Sequence, residues 1–215
     1  MNETIGKNDT AVISGVRVII MCKAPLEGRV KTRLMTVYSA AEAAAIHRAM
    51  ATMVIERALR LFIDVRVAAD DLNHPFFARF AAPLVAQGEG NLGKRMGRLM
   101  QAAFADGASS VLFLGTDSPH MPDARLVEAA AALETHDTVI GPVEDGGYEL
   151  IALKTDQPVF SDVIWSSAPV LDQTVSNIHR LGLSCKLLAS GFDIDTPEDL
   201  ARAQASGWCW QADGT

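Results

Sequence analysis

Carboxylates and cations placed where strands end are the chemistry this sequence offers. Asp117 closes the run Val111-Leu112-Phe113-Leu114-Gly115-Thr116-Asp117-Ser118-Pro119, and Asp193 and Asp195 stand two residues apart in an extended segment. Lys23, Arg29, Lys31 and Arg33 crowd one loop of a chain whose net charge is -7. Carboxylates at i and i+2 of an extended segment point to one face and repel unless a positive charge sits there, and a divalent cation is the simplest such charge. Basic side chains around a loop glycine, here Gly28, supply donors for phosphate oxygens. Acids that hold a cation and cations that hold phosphate describe a site for a phosphorylated ligand. Each group also has a plain structural reading: an Asp after a strand caps a turn, and a charged loop is a solvated loop.

The elements that must position these groups follow from pattern. Four apolar residues without alternation, Val111 to Leu114, suit a strand covered on both faces, as in the parallel sheet of an α/β protein. In open sheets of that kind the ligand crevice lies beyond the carboxyl ends of the strands, where Asp117 falls. Pro119 cannot continue a ladder, so the acid sits on a bend. Val16 to Cys22 predicts the first strand, with a tight turn at Ala24-Pro25-Leu26-Glu27-Gly28 behind it. That loop has neither the Walker spacing nor G-x-G-x-x-G.

Ser39-Ala40-Ala41-Glu42 is a capping box opening a helix to Leu61, with Ile46, Met50, Met53, Val54 and Leu61 at helical spacing. Its Met residues read as core and His47 as a partly exposed polar residue. Val65 to Ala69 predicts the second strand. Gln87 to Gly93 is glycine-rich and opens a helix carrying Met96, Leu99, Met100 and Phe104. Such a loop either holds an anion or a base edge through backbone N–H groups or is a flexible connection. Two strands, Thr138 to Gly141 and Tyr148 to Leu153, bracket Pro142-Val143-Glu144-Asp145-Gly146-Gly147. Gly146 and Gly147 either permit a tight reversal or keep side chains out of a pocket floor, with Asp145 at the rim. Pro169 is placed just inside a helix start and Trp165 before it as packing or as an acceptor platform. Thr196 as N-cap, Pro197 behind it and the acids Glu198 and Asp199 in the first turn need no catalytic role.

Composition narrows the partners. With 215 residues and 49% of them hydrophobic, the chain is long enough for one substantial core, expected over 15–215, with a loose polar tail over 1–14. The acidic balance argues against nucleic acid or an anionic membrane as partner. Three distant cysteines, without C-x-x-C spacing, suggest neither a disulfide framework nor a zinc site, and point to a reducing cytoplasm. No apolar run approaches the ~20 residues of a membrane-spanning helix.

Four motifs taken together resemble a family. They are Lys23-Ala-Pro-Leu-Glu-Gly-Arg-Val-Lys-Thr-Arg-Leu34, Gly115-Thr-Asp-Ser-Pro119, Gly141-Pro-Val-Glu-Asp-Gly-Gly-Tyr148 and Asp193-Ile-Asp-Thr-Pro-Glu-Asp-Leu200. In this order they are similar to the small bacterial nucleotide-diphospho-sugar transferases of the GT-A superfamily, including those assigned to arsenosugar biosynthesis. The resemblance implies a Rossmann-like GT-A fold, α/β with a mostly parallel sheet flanked by helices. It implies a nucleotide over Lys23, Ala24, Pro25, Gly28, Lys31 and Arg33, and Mg2+ or Mn2+ on Asp117 and Asp195. Read from the residues themselves, Gly146, Gly147, Trp165 and Asp193 are expected around the substrate, and Asp145, as a rim carboxylate, is the candidate base for an acceptor hydroxyl. The chain departs from the pattern at Gly90-Asn91-Leu92-Gly93-Lys94-Arg95-Met96, where relatives resemble Gly-Asp-Leu-Gly-Glu-Arg-Met. Substrate contacts are therefore not carried over to Asn91 or Lys94.

The activity so implied is transfer of a sugar from a nucleotide-diphospho-sugar to a small-molecule acceptor. A nucleotidyltransferase releasing pyrophosphate is the alternative, because the Lys-Thr-Arg-Leu loop also resembles 2-phospholactate guanylyltransferases and the late acidic motif molybdenum-cofactor guanylyltransferases. A non-catalytic nucleotide-binding protein is the third.

Overall fold

The computed structural model describes residues 12–210. Its strands are β1 (Ile13–Cys22), β2 (Phe62–Ala69), β3 (Leu84–Ala86), β4 (Val111–Leu114), β5 (Thr138–Pro142), β6 (Tyr148–Leu153) and β7 (Cys185–Leu187). The α-helices are α1 (Ala40–Leu61), α2 (Leu92–Ala105), α3 (Asp123–Ala132), α4 (Val170–Arg180) and α5 (Pro197–Ala205). The strands form one seven-stranded sheet in the order β3-β2-β1-β4-β6-β5-β7. Neighbours pair in parallel except at β6, which runs antiparallel to both β4 and β5. Among the described residues no helix is long and apolar enough to cross a membrane.

The unbroken apolar run of β4 has its cause in two cores. Leu112 and Leu114 face one side, with Val18 and Ile20 of β1, Val54 and Ala58 of α1 and Leu126 of α3. Val111 and Phe113 face the other, with Ile19 of β1, Met96 and Met100 of α2 and Ile178 of α4. Each fully buried Leu or Phe contributes on the order of 2 kcal/mol as an upper estimate. A polar residue anywhere in β4 would therefore face a core on one side or the other.

A third cluster builds the site. Leu34, Ile46, Met50, Ile194, Leu200 and Trp208 pack together, all buried. Leu34 belongs to a 3-10 turn, Thr32–Thr36, and Ile194 lies between the two late aspartates. Their contact draws the basic loop and the acidic segment to one place, although they are distant in sequence.

Helix boundaries follow local chemistry. The Ser39 hydroxyl accepts the Glu42 N–H at 3.2 Å, and the Glu42 carboxylate accepts the Ser39 N–H at 2.7 Å, which completes the capping box of α1. Thr196 and Asp199 form the same device on α5, with Pro197 at its start.

Several expectations are corrected. Residues 1–11 of the expected tail lie outside the described residues, and Ile13 and Ser14 already belong to β1. Met53 is 41% exposed, because the apolar stripe of α1 turns away from it. Pro169 is the N-cap of α4, one residue outside the helix. His47 is buried, not half-exposed.

Candidate active site

The carboxyl ends of β1 and β4 and the beginning of β6 open into a crevice of about 820 Å³. Its lining includes the cations Lys23, Arg29, Lys31 and Arg33, with Asp117 and His47, and the side chains of Tyr148, Glu149 and Trp165.

Asp117 leaves β4 on the bend that Pro119 imposes, and its carbonyl accepts the Ile194 N–H at 2.9 Å. That bond ties the acidic segment to the end of β4. Phe192 is held between His120, stacked at 3.9 Å, and the Arg202 guanidinium, 3.8 Å above its ring. Asp193 and Asp195 are thus carried on an anchored segment.

Asp117 and Asp195 converge on one positive charge. The Lys31 ammonium donates to Asp117 Oδ1 at 2.7 Å, Asp195 Oδ1 at 2.9 Å and the Ile194 carbonyl at 2.7 Å. Arg33 adds a contact to Asp195 Oδ2 at 3.2 Å. Desolvation raises the Asp117 pKa, but the Lys31 charge outweighs it and holds the acid below the usual carboxylate range. Burial lowers the Lys31 pKa, and the two carboxylates more than reverse that.

The two late aspartates differ. Burial, reinforced by the Asp117 charge, pushes Asp193 up to about 7. Its Oδ1 lies 2.5 Å from Ser118 Oγ, which is also 3.0 Å from the Phe192 carbonyl. One hydroxyl hydrogen serves one of those acceptors. Donation from Ser118 to Asp193 works against the upward shift but does not cancel it. The positive charge expected for the pair is therefore in direct contact with Asp195 alone, while burial dominates at Asp193.

The remaining expected residues divide. Lys23, Lys31, Arg33, Asp145, Gly147, Trp165 and Asp193 line the crevice. Ala24 and Pro25 are buried beneath it, and the Ala24 N–H is held by Asp70 Oδ1 at 2.6 Å, so these two residues set the turn. Gly28 has φ +71° with open space around it, so the turn needs glycine for its backbone and not for close approach. Gly146 has φ +87°, and a Cβ there would meet the Ala168 carbonyl oxygen at 2.0 Å. It seats the 166–169 loop. Asp145 is exposed at the rim and accepts the Gly147 N–H at 2.9 Å. The indole of Trp165 packs over Gly93, where a Cβ would lie 2.4 Å from Nε1, and it also lines the crevice.

Three crevice groups escape the motif-based reading. His47 Nε2 lies 3.0 Å from the Lys23 carbonyl, while its buried Nδ1 has no partner. The Lys23 carbonyl, an acceptor, makes Nε2 the donor. Burial holds its pKa below the ordinary value, against the Lys23 carbonyl and Asp117. Its place three residues before Met50 and four after Ala43, on the buried stripe of α1, is the signal that finds it. Glu149 is a lone acid in the apolar run of β6 and pairs with Arg125 below the crevice. Gln87 donates to the Cys22 carbonyl at 3.0 Å and the Ala68 carbonyl at 2.8 Å, and accepts from Arg95 at 3.1 Å. It holds the ends of β1 and β2 together. Asn91, where the family resemblance leads one to expect an acid, accepts the Lys94 N–H at 3.0 Å and caps α2. Asn and Asp are equivalent caps, so the helix start survives that change.

Hard oxygen donors that meet at a cationic point fit a magnesium-type ion, which typically takes one or two carboxylates and completes its shell with phosphate and water. Among the described residues no group of three or more His, Cys, Asp or Glu is arranged around a metal. Asp117 and Asp195 would supply the protein's share.

Comparison with known proteins places the chain. It is similar to a protein from Desulfovibrio desulfuricans G20 named as a candidate nucleotide-diphospho-sugar transferase, with 32% identity, 86% of this chain and 84% of that one covered, and a TM-score of 0.80. CMP:2-keto-3-deoxy-manno-octonic acid synthetase complexed with CTP shares the fold at 13% identity, over 88% of this chain and 97% of that one, with a TM-score of 0.57. So does 4-diphosphocytidyl-2C-methyl-D-erythritol synthase from Anaerococcus prevotii DSM 20548, at 13% identity over 89% and 98%, with a TM-score of 0.57. No curated protein matches in sequence. The fold is thus the mostly parallel, helix-flanked one of the nucleotide-diphospho-sugar transferases. A family model described as "uncharacterized protein conserved in bacteria (DUF2064)" matches residues 40–167, more than half of the 215, and the chain belongs to that family.

Proposed function

We propose that the crevice binds a nucleotide-diphospho-sugar and transfers its sugar to a small-molecule acceptor, with Mg2+ or Mn2+ held by Asp117 and Asp195. The observation that carries this is the convergence of those two carboxylates, from different parts of the chain, on one cation at the foot of a crevice. The same crevice is lined by Lys23, Arg29 and Arg33, which offer donors for phosphate. A bound divalent cation would neutralise charge developing on the departing nucleoside diphosphate. Lys23, Arg29 and Arg33 hold the phosphates and orient them, an electrostatic role that costs no rearrangement once the loop is fixed. Trp165 and Tyr148 offer apolar faces to a sugar ring or acceptor, and Trp165 excludes water from that end. Asp145, exposed at the rim, takes the proton of the acceptor hydroxyl.

The Desulfovibrio relative supports the nucleotide-sugar donor by its name. The test is calorimetric titration with nucleoside diphosphates, with and without Mn2+, followed by product analysis with the matching nucleotide sugars. Mn2+-dependent binding of one diphosphate in the wild type, lost in Asp117→Asn with the fold intact, is expected. Retained Mn2+-dependent binding in that variant refutes the cation role. Pyrophosphate release from a nucleoside triphosphate, without sugar transfer, would mark the nucleotidyltransferase instead.

A further inference from the structure

Lys31 combines three unusual properties. It bears a side chain yet adopts the left-handed conformation, φ 46° and ψ 42°. Its neighbours in the loop, Val30 and Leu34, are buried, so that conformation is held from both sides. Its side chain is only 6% exposed, whereas those of Asp117 and Asp195 are 43% and 34% exposed. The ammonium lies deeper than the carboxylates it bridges.

An ammonium has three donors. Here Asp117, Asp195 and the Ile194 carbonyl engage all three. Lys31 in this state has no donor left for a phosphate. The point on which the two carboxylates converge is also filled by its charge.

We infer that Lys31 is a tethered stand-in for the divalent cation, and that the ion enters the carboxylate pair only when a nucleotide phosphate gives the displaced ammonium new acceptors. The inference rests on Asp117 and Asp195 being the cation ligands. It adds an order to binding: the free protein excludes the ion, and ion and nucleotide enter together. By linkage, the factor by which nucleotide strengthens ion binding equals the factor by which ion strengthens nucleotide binding. The chain also keeps its clustered acids compensated when no ligand is present, so they do not repel one another in the free protein.

The test is nucleotide-free Mn2+ binding followed by electron paramagnetic resonance. Lys31→Met vacates the seat, and Arg33→Met removes an exposed cation from Asp195 without vacating it. The expected result is weak binding in the wild type, tighter by about tenfold or more in Lys31→Met, a size usual for coupled sites. Arg33→Met is expected to stay within about threefold, as for exposed pairs. Tight Mn2+ binding by the wild type, equal in Lys31→Met, overturns the stand-in while leaving the metal site in place. Failure of Lys31→Met to bind Mn2+ at all, with wild-type nucleotide binding also indifferent to Mn2+, removes the metal site and the stand-in with it. A second measurement needs no variant. In lysine-15N-labelled wild type, Mg2+ alone should leave the Lys31 ammonium resonance unmoved, and Mg2+ with the nucleoside diphosphates UDP, GDP, CDP and ADP, each in turn, should shift it for the one that binds. A shift caused by Mg2+ alone refutes the inference.

Discussion

Replacing Arg125 with Met should destabilise the protein severely, and more at pH 8 than at pH 5. The guanidinium and Glu149 form a pair whose side chains are 12% and 3% exposed. Gly141 and Gly191 crowd it so closely that a Cβ on either would come within 3.3 Å of a Glu149 oxygen. Water therefore has little room to replace Arg125. Removing one partner of a buried pair typically costs about 3–5 kcal/mol, because the other charge is left without compensation. For a chain of this size that corresponds to a fall in Tm on the order of 10 °C. The pH dependence follows from Glu149. Burial already raises its pKa above the usual carboxylate value, against the opposing pull of Arg125. Without Arg125 the pKa rises further. Between the unfolded value, about 4.3, and the native one, the native state holds a proton that the unfolded state has released, so stability falls as pH rises. At pH 5 the acid escapes most of its penalty by protonation; at pH 8 it bears more of it. Urea unfolding of Arg125→Met, Glu149→Gln and the double variant at both pH values completes a cycle that isolates the pair. A cost below about 1 kcal/mol for Arg125→Met, or the same cost at both pH values, would refute the burial argument.

Two further outcomes follow. Asp193→Asn, measured in EDTA, should remove a stability slope that the wild type shows between about pH 4 and pH 7. Over that range the native carboxyl, pushed up to about 7, keeps a proton that the unfolded chain loses, and the wild type forfeits at most on the order of 4 kcal/mol relative to the variant. Parallel stability–pH profiles would contradict it. Gly93→Ala adds a methyl 2.4 Å from Trp165 Nε1, so a change that usually gains up to about 1 kcal/mol in a helix should here destabilise. In fluorotryptophan-labelled protein the 19F resonance of Trp165, one of three tryptophans, should shift. A more stable variant with all three resonances unmoved would disprove the contact.

The parts of the fold legible in the sequence are those fixed by neighbours along the chain. The run Val111 to Leu114 announces a strand buried on both faces, and Asp117 then has to lie at its carboxyl end. Ser39 with Glu42 and Thr196 with Pro197 announce helix starts to the residue. What stays hidden depends on pairs far apart. β3 and β7 are three residues each, too short for any periodicity. The reversed direction of β6 leaves no mark in its composition, because both its neighbours bury it as a parallel strand would be buried. A lysine in a basic loop reads as a phosphate donor, and only the packing of Leu34 against Ile194 reveals that its charge faces inward. His47 looks polar and accessible until the stripe from Ala43 to Met50 is followed through it.

The strand order has a consequence for how the chain folds. β3, β2, β1 and β4 are built from residues up to Leu114, and β5 with β7 from residues from Thr138 onward. β6 lies between the two groups and joins them into one sheet. The crevice therefore cannot exist on a half-folded intermediate in which the first four strands have formed alone, since Glu149 and Tyr148 arrive with β6. Amide hydrogens of Leu150 to Leu153 should accordingly exchange only through the rarest openings of the molecule, and ligand added to such an intermediate would find half a site.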